Sequence, residues 1–272
     1  MRRSLLYQLD ESQGFDAAAF LEEVELAEEV GLDGVWCFPA AGADGDFRGS
    51  APAIWVSALA SRTRRLRLGW GMADLAPPAH PPMRFAEQAA AIDIASEGRL
   101  DLALLPGPDV APGSDPPWDE GLRMLVDMWD GPTFSWTSDR FTVPPVDVVP
   151  KPVQSPHPPL WLAGWAGEHA QAAGQAGLAF LDVSGGTDAT LALHRDLYTE
   201  ARAGAAVEDL VSPGLVAIAV DLEVGSKGSE RLAAWEDAGF DAVVVRAAAQ
   251  GEGHDEVRAR IRFLASEDAR VH

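Results

Sequence analysis

Short apolar runs alternate with segments of helical spacing along the chain. Runs suited to buried strands fall at Ser4–Leu9, Gly34–Phe38, Arg65–Gly71 and Arg99–Leu105, and again at Pro159–Gly164, Leu178–Asp182, Gly214–Val220 and Asp241–Arg246. Between them the spacing changes to that of amphipathic helices. Phe20, Val24 and Ala27 fall at i, i+4, i+7, as do Val257, Ile261 and Leu264, while Leu122, Leu125, Val126 and Trp129 fill i, i+3, i+4, i+7. Strand followed by helix, repeated eight times, implies parallel strands joined by crossovers, and closure of such a sheet removes both edges. The pattern predicts one (β/α)₈ barrel domain over residues 1–272. An open doubly wound sheet is the competing architecture. It would carry a Gly-rich first turn, whereas the chain reads Asp10-Glu11-Ser12-Gln13-Gly14 there.

Two junctions repeat one design, Gly31-Leu32-Asp33-Gly34-Val35 and Gly239-Phe240-Asp241-Ala242-Val243. Glycine suits the left-handed position that ends a helix, a hydrophobe covers the helix end, and Asp turns the chain into the next strand. Asp130–Val149 fits neither period and predicts a short β-hairpin inserted before the fifth strand.

The formal charge of −21 disfavours nucleic acid and anionic lipid as partners, because both are bound through Lys and Arg displacing counterions. Any cofactor phosphate would have to be held locally, by backbone N–H groups. Cys37, the only cysteine, lies in an apolar run and reads as a core residue. No apolar stretch reaches the length of a membrane span, and Met1-Arg2-Arg3 is followed by strand-like residues, so a cytoplasmic protein is expected. No spacing of His, Asp or Glu suggests a metal site.

Three stretches resemble the bacterial luciferase-like monooxygenase family. The first runs from Thr63-Arg64-Arg65-Leu66-Arg67-Leu68-Gly69 through Phe85-Ala86-Glu87-Gln88 to Ser96-Glu97-Gly98-Arg99-Leu100. The second is Pro150-Lys151-Pro152-Val153-Gln154-Ser155-Pro156-His157-Pro158-Pro159-Leu160-Trp161, and the third is Leu26 to Trp36. The resemblance implies a flavin- or deazaflavin-dependent oxidoreductase. It would act on a hydrophobic small molecule, with reduced FMN or the deazaflavin coenzyme F420 at the C-terminal mouth of the barrel. A homodimer is admitted but not required.

On that resemblance Gly69, Trp70, Gly71 and Met72 correspond to the segment beside the isoalloxazine ring, where glycine permits close approach and Trp70 would either stack on the ring or fill its place. Gly164-Trp165-Ala166-Gly167 and Ser184-Gly185-Gly186 each link a strand to a helix, and both match positions where the family holds the cofactor phosphate. Arg246 is a candidate anion clamp. The candidates for acid–base catalysis are Asp10, His80, Asp182 and Asp221, although carboxylates at strand ends also commonly cap the loop that follows.

Two departures stand beside these matches. Where the family often has an acidic residue and a His, the chain reads Trp36-Cys37-Phe38-Pro39-Ala40, and after the fourth strand it reads Leu105-Pro106-Gly107-Pro108. They motivate an alternative, a family member without cofactor that acts as a ligand-binding protein or a cofactor-independent enzyme. A hydrolase built on Asp182 and Asp221 is a third reading.

Overall fold

The computed structural model describes residues 1–9, 15–41, 47–48, 51–72, 82–106, 117–205, 212, 214–247 and 252–266. In chain order the elements are β1 (Arg2–Leu9), α1 (Ala17–Val30), β2 (Gly34–Ala41), β3 (Phe47–Arg48), α2 (Pro52–Arg62), β4 (Arg67–Met72), α3 (Pro82–Ala95), β5 (Leu100–Leu104) and α4 (Pro117–Asp130). They continue with β6 (Phe134–Thr137), β7 (Thr142–Val146), β8 (Leu160–Gly164), α5 (Gly167–Gln175), β9 (Ala179–Asp182), α6 (Asp188–Ala203), β10 (Val216–Val220), α7 (Ser226–Asp237), β11 (Ala242–Arg246) and α8 (His254–Ala265).

Strands β1, β2, β4, β5, β8, β9, β10 and β11 pair in parallel in that order, and β11 pairs with β1 to close the barrel. The eight runs read from the sequence are these eight strands. The predicted insertion is the antiparallel pair β6 and β7, with Trp136 opposite Val143. It packs on α4, where the Trp136 indole donates to Glu120 Oε1 at 2.8 Å. The two-residue β3, antiparallel to the end of β2, carries no sequence signal of its own.

The repeated junctions do what their residues suggest. Gly31 (φ 83°) and Gly239 (φ 86°) take the left-handed conformation, and Leu32 and Phe240 are buried behind them. Each Asp then stitches a neighbouring strand: an Asp33 carboxylate oxygen accepts from Arg3 N–H at 2.7 Å, and one of Asp241 accepts from Val216 N–H at 2.8 Å. The Ser96-Glu97-Gly98-Arg99 segment is likewise architectural. Glu97 and Gly98 turn the chain with positive φ, and the Arg99 guanidinium donates to the carbonyls of Ala60, Thr63, Leu66 and Ser96, tying the end of α2 to that of α3. Asp93, fully buried, accepts from the backbone N–H groups of Val153 and Gln154 and holds the Pro-rich segment against α3.

Side chains alternate between two cores, as a wall buried on both faces requires. The outer core, between wall and helices, takes Leu5, Tyr7, Cys37, Trp70, Met72 and Phe180. The inner core takes Leu6, Trp36, Phe38, Leu105, Trp161 and Leu181, with Ala103, Ala163, Ala179, Ala217, Ala219 and Ala242. Its bulk is therefore lopsided. Aromatic rings from β2 and β8 fill one side, and alanines of β9, β10 and β11 line the other.

Candidate functional site

Three rings form a column inside the barrel. Trp36 meets Trp161 edge to face at 5.5 Å and Phe38 in the same manner at 6.0 Å. The neighbouring β4 is shaped around this column. A Cβ on Gly69 would lie 2.1 Å from the Trp36 ring, and one on Gly71 would lie 2.4 Å from the Phe38 ring. These glycines do admit the close approach of a flat ring, but the rings belong to the protein itself. Trp70 and Met72 alternate outward. Trp70 packs on Phe85 of α3 at 5.4 Å, in the outer core between wall and helices. Of the segment Gly69, Trp70, Gly71 and Met72, read as lying beside a cofactor ring, the two large side chains thus face the helices and the two glycines face the aromatic column. The period of two puts alternate residues on opposite faces, and the phase here is the one that sends the Trp outward.

The C-terminal ends of β8, β9 and β11 supply a different set of groups. Val183 N–H donates to Gly164 O at 2.8 Å and joins the ends of β8 and β9. Helix α5 begins at Ala166 with no side-chain cap, which leaves the N–H groups of Gly167 and Glu168 without an intrahelical partner. Trp165, 41% exposed, stands on this turn, and its N–H reaches His169 Nδ1 at 3.3 Å. Gly164 is small because His169 lies against it: a Cβ there would sit 2.4 Å from that of His169.

The second turn is more self-sufficient. Ser184 N–H donates to Asp182 Oδ1 at 2.8 Å, Gly186 N–H donates to Ser184 Oγ at 3.1 Å, and Thr187 caps α6 by accepting from Thr190 N–H. Gly185 adopts φ 63°, and a Cβ on it would be 3.6 Å from the Arg246 guanidinium. Arg246 ends β11, reaches Val183 O at 3.4 Å and pairs with Asp221 at 3.2 Å. Asp221 is a weak competitor for that cation, since its side chain is 69% exposed and the pair is screened by water. An uncapped helix start after β8, a glycine turn after β9 and a partly used guanidinium at the end of β11 suit a phosphate or another anion.

The acid–base candidates fare differently. Asp10 and His80 lie outside the described residues. Asp182 is in the wall, 1% exposed and turned to the helix layer, with one oxygen on Ser184 N–H and the other on His194 Nδ1 at 2.7 Å. Both oxygens are engaged, so Asp182 ties the loop after β9 to α6. Asp182 and Asp221 consequently do not face one another as a hydrolytic pair. Cys37 is fully buried in the outer core, and burial pushes its thiol well above its ordinary range, which keeps it protonated.

His169 and His194 are the functional-site neighbours that reading the sequence missed. His194 shares the inward face of α6 with Leu191 and Tyr198, at spacings of three and four, a visible sign that it points at the wall. Burial lowers the pKa of His169 in spite of nearby Glu168, and the charge of His194 adds to the effect. Neutral His169 can accept the Trp165 N–H, and so it fixes the start of the α5 turn.

A closed barrel of eight parallel strands with helices outside it belongs to the class of α/β barrels, in which functional groups gather at the C-terminal ends of the strands. Within that class the chain belongs to the luciferase-like monooxygenase family, whose model matches residues 4–266. The oxygenase component of the flavin-dependent trigonelline monooxygenase of Acinetobacter baylyi is 31% identical over 124 residues, which are 41% of this chain and 33% of that protein. The matched stretches span from about a quarter to just over half of the length of the curated relatives. Among solved structures, the oxygenating constituent of 3,6-diketocamphane monooxygenase from Pseudomonas putida, in complex with FMN, superposes with a TM-score of 0.77 at 15% identity, covering 99% of this chain and 98% of that one. An F420-dependent secondary alcohol dehydrogenase holding an F420-acetone adduct superposes with a TM-score of 0.75, also at 15% identity, covering 99% of both chains. At these identities the likeness establishes the shared fold. Among the described residues no helix is long and apolar enough to cross a membrane.

Proposed function

We propose that this chain is an oxidoreductase that uses reduced FMN or the deazaflavin coenzyme F420 on a hydrophobic small molecule bound at the C-terminal mouth. The observation that carries the reading is the uncapped start of α5 beside the Gly185 turn and the Arg246 guanidinium. These groups fit the phosphate that both cofactors carry, and a single barrel domain would present them. Gly167 and Glu168 N–H would donate to the phosphate, aided by the dipole of α5, and Arg246 would exchange its exposed partner Asp221 for it. When bound, the cofactor supplies the redox chemistry, and the protein supplies position and exclusion of water.

Phe38, Leu105, Ala163 and Leu181, buried apolar members of the inner core, would form the floor of the mouth. Their lack of titratable groups suits a hydride or oxygen transfer that needs a shielded, apolar contact, and assigns proton exchange to residues other than those of the floor. The test is titration with FMN, reduced FMN and the deazaflavin coenzyme, followed by fluorescence or calorimetry. Saturable binding of any one supports the oxidoreductase and tells which cofactor serves. Absence of binding by all three overturns it in favour of a family member that works without the cofactor.

A further inference from the structure

The hydrogen bond between Asp182 and His194 uses only one nitrogen of the imidazole. His194 Nδ1 lies 2.7 Å from Asp182 Oδ2, and a carboxylate accepts, so Nδ1 carries the proton between them. The other nitrogen, Nε2, has no hydrogen-bonding partner among the described residues, although the side chain is only 8% exposed. It is not sealed away as His157 Nε2 is, and so it borders open space. A polar atom on a side chain this buried is seldom left unpaired. Gly167 shows where the free edge lies. A Cβ there would sit 2.9 Å from Leu197 Cδ1 and 3.8 Å from His194 Cδ2, the ring carbon bonded to Nε2. The edge is therefore beside the first turn of α5, where the N–H groups of Gly167 and Glu168 have no intrahelical partner.

The groups around the ring decide which imidazole can carry charge. From β9 comes the Asp182 carboxylate, and from α5 comes His169, next to Glu168. His169 accepts the Trp165 N–H at Nδ1, 3.3 Å away, and burial holds its pKa below the ordinary value, so it stays neutral. On α6 itself Tyr198 turns to Leu178 O and Arg195 to Asp196. His194 is thus the imidazole with a carboxylate behind it and a nitrogen free in front, the arrangement by which a histidine presents positive charge to a partner.

Building on the function proposed above, we propose that His194, held by Asp182, is a second cationic contact for the cofactor phosphate: Nε2 takes one proton from solvent as the anion binds and donates it in a hydrogen bond to a phosphate oxygen. A phosphomonoester such as that of FMN carries nearly two negative charges at neutral pH, which Arg246 and the His194 imidazolium together would match. Asp182 then serves as a positioning residue, fixing the ring with Nε2 outward.

The test measures FMN and riboflavin binding to the full chain by calorimetry at neutral pH, in two buffers of different ionisation enthalpy, which counts the protons taken up. The wild type is expected to take up more protons with FMN than with riboflavin. His194→Asn keeps an amide N–H near the place of Nδ1 for Asp182 and removes the outer edge of the ring. It is expected to abolish the extra uptake and to weaken FMN about fivefold, the scale of one hydrogen bond, while weakening riboflavin far less. A measurement on the wild type needs no variant to fold: by nitrogen-15 resonances of the imidazole, FMN should raise the pH midpoint of His194 by about 0.7 of a unit, the linkage equivalent of fivefold, and riboflavin should not. FMN binding without extra proton uptake, an FMN affinity that His194→Asn leaves unchanged, or a His194 midpoint that FMN does not move overturns this contact and leaves the phosphate reading on α5 and Arg246 standing. Failure of the wild type to bind FMN overturns both.

Discussion

The two sides of the barrel interior are built on opposite plans. On the β2, β4 and β8 side, large rings from two strands meet glycines on the third, and the fit leaves no room even for a methyl group at Gly69 or Gly71. On the β9, β10 and β11 side, small alanines line the wall, and the chemically expressive groups, Arg246 and the turn at Gly185, stand at the strand ends. The filled side is a packed column of rings, whereas the open side is lined by small side chains up to the strand ends that carry Gly185 and Arg246. Glycines that look alike in sequence therefore serve different ends. Gly69 is small because of Trp36, whereas Gly185 is a glycine because its backbone takes positive φ.

Three substitutions would break or sharpen this contrast. Trp36→Ala removes the middle of the aromatic column and should lower unfolding free energy by about 3–5 kcal/mol in denaturant titrations, the range for deleting a buried aromatic. Gly69→Ala should cost about 1–3 kcal/mol through overpacking. Because the clash is with the Trp36 ring, the two changes together should cost less than their sum. A matching change on the alanine side, Ala219→Gly, should cost only about 0.5–1 kcal/mol. Equal costs on the two sides would erase the contrast.

Arg246→Ala should weaken FMN or F420 binding about tenfold while moving the unfolding midpoint little, since its present partner is exposed. The smallest effect concerns pH. Burial holds the imidazoles of His157 and His169 below the ordinary value of 6.5. An unfolded chain takes up their protons near that value and the folded chain does so only at lower pH. The stability they permit is therefore complete above about pH 6.5 and declines as pH falls toward their folded values. Replacing both by Gln should flatten the fall in unfolding midpoint between about pH 7 and pH 5.

Much of the architecture is legible in the sequence because a strand buried on both faces must be a continuous apolar run, and each such run became a strand. The hairpin was legible for the complementary reason, a stretch of the wrong period for its surroundings. The phase of β4 was not. In a run apolar on both faces nothing local says whether Trp70 or its glycine neighbours point to the axis, and the answer lies across the sheet in Trp36 and Phe38. Asp182 was found as a strand-end carboxylate, but its partner His194 is twelve residues on in another element, so its structural role emerges only once α6 is docked. The Gly-containing turns were legible as the links from β8 to α5 and from β9 to α6. Which of them is uncapped depends on side-chain bonds such as Ser184 to Gly186, which the pattern alone does not reveal.

The most direct test of the central claim compares FMN with riboflavin, which has the same ring system without the phosphate, by calorimetry on the wild-type chain and on Arg246→Ala. If the rim of β8, β9 and β11 holds the cofactor phosphate, FMN should bind the wild type at least about tenfold more tightly than riboflavin, and Arg246→Ala should remove most of that advantage. Equal affinity for the two ligands, or an FMN advantage that survives Arg246→Ala undiminished, would contradict the account.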